Sequence, residues 1–198
     1  MMRRLAMMRR RIPTVTAVIL GINILCFIYE MVNGVTRTAY AYAMYEGAIQ
    51  DGEYLRVIAS AFFHYDFFHI ASNMLCLVLY GIDLEYRVGP KKFLIIYAVS
   101  VLGSGLLVNF AGGRALHMGA SGAIWGLMTA TLINNMRNGI NFTYALRGIV
   151  LNLVYSFSAG VSWQGHIGGG IAGLAAALVL CKGPYQRNRF RRVEGRVE

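Results

Sequence analysis

Six apolar runs divide the chain, at residues 12–32, 67–86, 93–110, 121–137, 142–157 and 165–181, each bounded by charged, glycine or proline residues. At 1.5 Å of rise per residue, runs of about 20 residues match a hydrocarbon core of about 30 Å, so the pattern predicts transmembrane helices. The fourth run differs. Its 17 or so residues reach only about 25 Å, which puts the first of them, Ser121, below the membrane surface. The second run ends at Asp83, Glu85 and Arg87, followed by the Gly89-Pro90 breaker and Lys91-Lys92. Ala111-Gly112-Gly113-Arg114 returns the third run to the outer side, and Asn134-Asn135-Met136-Arg137 closes the fourth. Arg147 in the fifth is set to snorkel toward the inner face. Residues 33–56 are too polar to span: Glu46, Asp51 and Glu53 stand among Tyr40, Tyr42, Tyr45 and Tyr54, as in an outer loop lying in the headgroup region. Residues 158–164 form a second outer loop, without charge.

Composition agrees with a membrane solvent. Of 198 residues, 57% are hydrophobic and 14% charged, and the mean hydropathy is +0.50, so a water-soluble fold would expose apolar surface over most of its area. The net charge of +10 is concentrated at Arg3–Arg11 and Arg187–Arg196, with Arg87, Lys91 and Lys92 between. Basic tails beside apolar spans read as cytoplasmic flanks touching anionic lipid; no base-reading module accompanies them, which argues against nucleic acid as a partner. Residues 1–32 look like a signal peptide, with Ala39-Tyr40-Ala41 as an A-x-A-like site, but the apolar run exceeds the usual 7 to 15 residues and reads as an uncleaved helix. The expected architecture is an all-α polytopic membrane protein, a six-transmembrane-helix bundle with a short central fourth helix. Residues 1–11 and 183–198 would be basic cytoplasmic tails around a transmembrane domain at 12–182. Cys26, Cys76 and Cys181 stand singly inside apolar runs and read as packing residues.

The second, fourth and sixth helices all descend from the outer side with polar residues in their first turns: His69 and Asn73, then Ser121, then His166. Polar groups within spans are costly, so their shared depth points to a functional site. Ser121, among glycines at a helix N-terminus, has unpaired backbone N–H groups beside its hydroxyl, as an acyl-transfer nucleophile requires. Gly165, Gly169 and Gly173 recur every four residues, and Gly122 with Gly126 repeats that spacing, so the fourth and sixth helices can approach closely. Such a crossing would hold the His166 imidazole near the Ser121 hydroxyl as general base and later acid. His69 and Asn73, four apart, share a face and can donate hydrogen bonds to an oxyanion. His64 precedes His69 by five, which turns it off that face and leaves it a supporting or structural role. His117 reads as local structure. Other intramembrane chemistries lack their residues: His64-x4-His69 has neither the spacing nor the glutamate of a zinc protease, and Asp66 and Asp83 lie at opposite ends of one helix instead of facing each other. No carboxylate stands ready to complete a triad. The arrangement is a Ser-His dyad.

These residues resemble the rhomboid family of intramembrane serine proteases over nearly the whole chain. The matching motifs are His64-x4-His69-x3-Asn73, Gly81-x3-Glu85-x3-Gly89, Gly119-Ala120-Ser121-Gly122 and His166-x2-Gly169-x3-Gly173. The resemblance implies Ser121 as nucleophile, His166 as base, and His69 and Asn73 as oxyanion donors. It also implies cleavage of transmembrane protein substrates in the bilayer after a small residue, with no cofactor, metal or ATP. Two departures are visible: Leu55-Arg56 stands where Trp-Arg is usual, and Trp125 occupies a position, one turn after the serine, that is often tyrosine. Either aromatic could stack on the His166 ring. Gly165 precedes His166 where alanine is frequent. The expected location is a prokaryotic inner membrane with both termini in the cytoplasm. Two rivals remain. A catalytically silent relative that binds membrane clients would usually lack the serine or histidine, and a small transporter would show an internal repeat or paired broken helices, which are not found.

Overall fold

A computed structural model describes residues 13–113, 115–156 and 161–181; both basic tails, Arg114, the end of the fifth run at Phe157 and residues 158–160 of the uncharged outer loop lie outside them. The described residues form helices α1 (Thr14–Asn33), α2 (Val35–Tyr42), α3 (Arg56–Ala59), α4 (Phe67–Val88), α5 (Pro90–Ala111), α6 (Ser121–Arg137), α7 (Thr143–Ser156) and α8 (Trp163–Leu180). Strand structure among them is limited to an isolated antiparallel bridge between Met44 and His117. Helices α1, α4, α5 and α8 are long and apolar enough to cross a membrane. The other two expected spans are shorter: α6 has 17 residues, and the apolar part of α7 is Thr143–Val154.

Helix starts follow local chemistry. Proline opens α5 at its first position, where no N–H is needed. The Asp66 carboxylate caps α4 by accepting from the His69 N–H at 2.8 Å, and the Ser162 hydroxyl caps α8 by accepting from the Gly165 N–H at 3.3 Å. The Gly81-x3-Glu85-x3-Gly89 motif joins three helices. Glu85, 3% exposed, accepts from the Val15 N–H at 3.1 Å and from the Thr16 N–H and hydroxyl, both at 2.7 Å, so it caps α1 from inside α4. Gly81 leaves room for Thr16, and Gly89, at φ +85, ends α4 in a conformation that side-chain-bearing residues avoid. A π turn, Leu77–Gly81, interrupts α4 at the same level.

The short helix α6 is the axis of the bundle. Its buried residues, from Gly122 through Asn135, lie on every face, as expected for a helix enclosed by others, so its ends need no contact with the membrane surfaces. Helix α8 packs closely on both α5 and α6. At the α6–α8 crossing a Cβ on Gly169 would lie 2.5 Å from the Gly122 carbonyl carbon, and one on Gly173 would overlap the Gly126 backbone. The seam has a third member that spacing did not reveal. Gly122 and Gly126 also face Ser104 and Ser100 of α5, and a Cβ on Gly103 would lie 2.7 Å from the Gly168 oxygen.

Residues 33–56 depart from the expected loop. Val35–Tyr42 is helical, turned away from α1 at Gly34 (φ +90), and its Ala39, with Ala43 just after it, is buried against Phe63 and Met118. Arg56 ties this segment down by donating to the carbonyls of Ala43 (3.0 Å) and Tyr40 (2.9 Å), and its guanidinium lies over the Tyr45 ring. Leu55, where the family usually has tryptophan, is 82% exposed. The anchoring falls to the arginine.

Candidate active site

The first hydrogen bond of α6 runs from the Ile124 N–H to the Ala120 carbonyl. The N–H groups of Ser121, Gly122 and Ala123 therefore lie ahead of the helical ladder, at the positive end of the helix. The turn into α6 is held on two sides, by the Gly119 N–H donating to the Ser60 carbonyl at 2.9 Å and the Ala120 N–H donating to His64 Nε2 at 3.4 Å. Gly119 has φ +132, and a Cβ there would lie 2.7 Å from His69 Nε2 and 3.8 Å from Asn73 Nδ2. Only glycine satisfies both the backbone angle and the close approach. His69 and Asn73 thus converge, from one face of α4, on the backbone two residues before Ser121. Asn73 is buried and spends one amide hydrogen on the His69 carbonyl at 3.0 Å, which leaves the other for a ligand.

His64 sits differently from expectation. Helical spacing does not apply to it, because α4 begins only at Phe67, and the turn through Asp66 brings its ring to 5.0 Å from that of His69. Burial, with His69 beside it, pushes the His64 imidazole down to about 3. The ring is neutral, in keeping with an Nε2 that accepts from Ala120. His117 is local structure: its backbone pairs with Met44 and its Nε2 lies 2.9 Å from the Gly112 oxygen.

On the opposite side of the α6 start, His166 is buried in the first turns of α8. Its ring stacks on Trp125, with centroids 5.5 Å apart and 20° between planes. Trp125 is one helical turn after Ser121, and the neighbouring Gly165 and Gly169 touch Gly122 and Gly126, so the imidazole belongs to the same corner as the serine. Its Nδ1 lies 2.6 Å from the hydroxyl of Ser156, the last residue of α7. Sequence inspection passed over Ser156; the available signal was a hydroxyl closing one apolar run at the level where the next run starts with histidine. A cavity beside Ser121 is lined by Ser60, Ser104, Ser162 and Gly119 together with apolar residues such as Val57 and Val101. Among the described residues no group of three or more His, Cys, Asp or Glu is arranged to hold a metal ion.

An all-α polytopic membrane fold, with histidine, asparagine and serine gathered at the start of a short buried helix, defines the class of this protein. The chain belongs to the rhomboid family: the family model for the Rhomboid domain matches residues 51–183. Among similar proteins, "Rhomboid protease GluP" of Bacillus subtilis (strain 168) is 32% identical over 178 residues, covering 85% of this chain and 35% of the relative. "RHOMBOID-like protein 5" of Arabidopsis thaliana is 32% identical over 145 residues, covering 69% and 47%. "Rhomboid-type serine protease 2" of Emericella nidulans is 28% identical over 140 residues, covering 67% and 28%. The chain spans less than half the length of each of these relatives. Two of these three relatives are named as proteases.

Proposed function

We propose that this chain is an intramembrane serine endopeptidase working through a Ser121–His166 dyad. Ser121 Oγ attacks the scissile carbonyl while His166 Nε2 takes its proton; the imidazolium then gives that proton to the leaving amine, and water, deprotonated in turn by His166, attacks the acyl-enzyme, the imidazolium returning its proton to Ser121 Oγ as the acid product leaves. The developing oxyanion is received by the Ser121 N–H and by side-chain donors of His69 and Asn73. His64 holds the Ala120 N–H, Gly119 admits His69, Trp125 supports the His166 ring, and Gly169 and Gly173 let the two helices close. The observations that support this reading are the approach of His69 and Asn73 to Gly119, two residues before Ser121 and the unladdered N–H groups of α6, and the stacking of His166 on Trp125 one turn after Ser121.

The substrates of this proposal are transmembrane proteins, cut within or beside their spans after a small residue. The transmembrane domain is assigned to residues 12–182 between basic tails at 1–11 and 183–198, with both termini in the cytoplasm of a prokaryotic cell, as the clustering of arginine in the tails suggests. A fluorophosphonate probe on the detergent-solubilised protein tests the chemistry. We expect a covalent adduct on Ser121, lost in Ser121→Ala without loss of the folded helical state, and strongly reduced in His166→Ala. Undiminished labelling and cleavage in both variants would remove the dyad, and absence of any adduct or cleavage in the wild-type protein would favour a client-binding role.

A further inference from the structure

The dyad leaves one atom of its base unaccounted for, His166 Nδ1. In triads a carboxylate occupies that position, holding the ring in the tautomer whose other nitrogen is free to accept a proton. Here the neighbour is the Ser156 hydroxyl at 2.6 Å, and both residues are buried, at 2% and 4% exposure. A hydroxyl has one hydrogen to donate and two lone pairs. Ser156 Oγ also lies 2.7 Å from the Asn152 carbonyl one turn back in α7. A carbonyl oxygen accepts only, so the hydroxyl hydrogen must point to Asn152 for that contact to be attractive. The lone pairs of Oγ then face His166, and the 2.6 Å contact is attractive only if Nδ1 carries the proton. The alternative tautomer would spend the hydrogen on Nδ1 and set two bare oxygens 2.7 Å apart.

We propose that Ser156 is the positioning residue of the base, accepting the Nδ1–H of His166 so that the Nε2 lone pair is presented to Ser121. The proposal rests on the protease reading for its catalytic consequence, though not for the tautomer itself. The proton order is His166 Nδ1–H to Ser156 Oγ, and Ser156 Oγ–H to the Asn152 carbonyl; no proton crosses this chain during the reaction, and the transferred proton moves only between Ser121, Nε2 and the leaving amine. A neutral acceptor steadies an imidazolium less than a carboxylate does, so its contribution is orientation more than charge. The contact also joins α7 to the site. At its other end α7 is fastened by Tyr144, whose hydroxyl donates to Asp83 at 2.5 Å and whose ring stacks on Tyr80. Helix α7, which carries no other residue of the proposed site, therefore sets the tautomer of the base.

Two measurements test this. The first needs no activity: 15N NMR of histidine-labelled protein in detergent at about pH 8, where an ordinary imidazole is neutral, with His166 assigned by loss of its signals in His166→Ala. We expect a protonated Nδ1 and an unprotonated Nε2 in the wild type, and a mixture of tautomers in Ser156→Ala. The second is kinetic. Ser156→Ala should lower kcat by about 10- to 100-fold, the range seen when the hydrogen-bond partner of a metal-bound histidine is removed, with KM for a transmembrane substrate nearly unchanged. Ser156→Thr, which keeps the hydroxyl, should recover most of the loss. An Nε2-protonated ring in the wild type, or wild-type kcat in Ser156→Ala, would overturn the assignment; so would a Thr variant as slow as Ala. A wild-type protein that shows the expected tautomer but cleaves nothing would instead count against the protease reading alone.

Discussion

Gly169→Ala adds a single methyl group at the centre of the α6–α8 crossing, and the geometry allows its effect to be worked out. The new Cβ would lie 2.5 Å from the carbonyl carbon and 3.1 Å from the Cα of Gly122. The Gly122 carbonyl oxygen lies nearer still; ordinary contact between such atoms begins near 3.5 Å, and all three obstructing atoms are backbone, so no side-chain rotation relieves the overlap. The helices must part by at least about 1 Å. Overpacking of this kind typically costs about 1–3 kcal/mol, and a displacement of about 1 Å at a reacting pair can cost about 100-fold in rate. Because Gly122 follows Ser121 and Gly169 lies one turn from His166, the separation acts on the proposed nucleophile and base directly. We therefore expect a lower melting temperature in detergent together with a fall of about 100-fold in fluorophosphonate labelling and in cleavage of a transmembrane substrate. Gly170→Ala is the matched control: its Cβ would meet the nearest atom, Trp125 Cε3, at 3.5 Å, and the protein should melt and react nearly as the wild type does. Branched substitution at the same place, Gly169→Val, should be worse in both measurements. A Gly169→Ala protein with unchanged melting and full activity would refute the argument that glycine is needed here for helix approach.

Asn73→Ala removes one proposed oxyanion donor and should lower kcat by about 10- to 1000-fold with little change in substrate binding; wild-type turnover would reduce Asn73 to a structural residue. Glu85→Gln should separate stability from chemistry. The carboxylate accepts three hydrogen bonds from Val15 and Thr16, and an amide can accept on only one of its two heads, so hydrogen bonds to a charged group worth about 1.5–3 kcal/mol are put at risk. Glu85 is 16 residues along α4 from His69, or about 24 Å. Thermal stability should fall while Ser121 in the remaining folded protein labels at the wild-type rate, and a loss of labelling without loss of stability would contradict the capping role.

Much of this molecule follows from periodicity within single helices. The short helix begins at Ser121 and ends at Arg137 as the apolar run does, because a positive-φ glycine precedes it and polar residues end it. His69 and Asn73 share a face because they are four apart, and the Gly169/Gly173 and Gly122/Gly126 rows meet because the same spacing on two helices gives matching flat surfaces. Other features depend on which elements lie side by side and at what height, and no within-helix period carries that information. The crossing of α5 over the glycine seam at Ser100, Gly103 and Ser104 depends on an interhelical angle. The inward turn of His64 depends on Asp66 capping α4, and the helix at Val35–Tyr42 on a pocket formed by Phe63 and Met118. Glu85 reaches across 69 residues to cap α1 at Thr16. Ser156 meets His166 because α7 ends where α8 begins, with the hydroxyl and the imidazole turned toward each other in a buried space where each must find a partner.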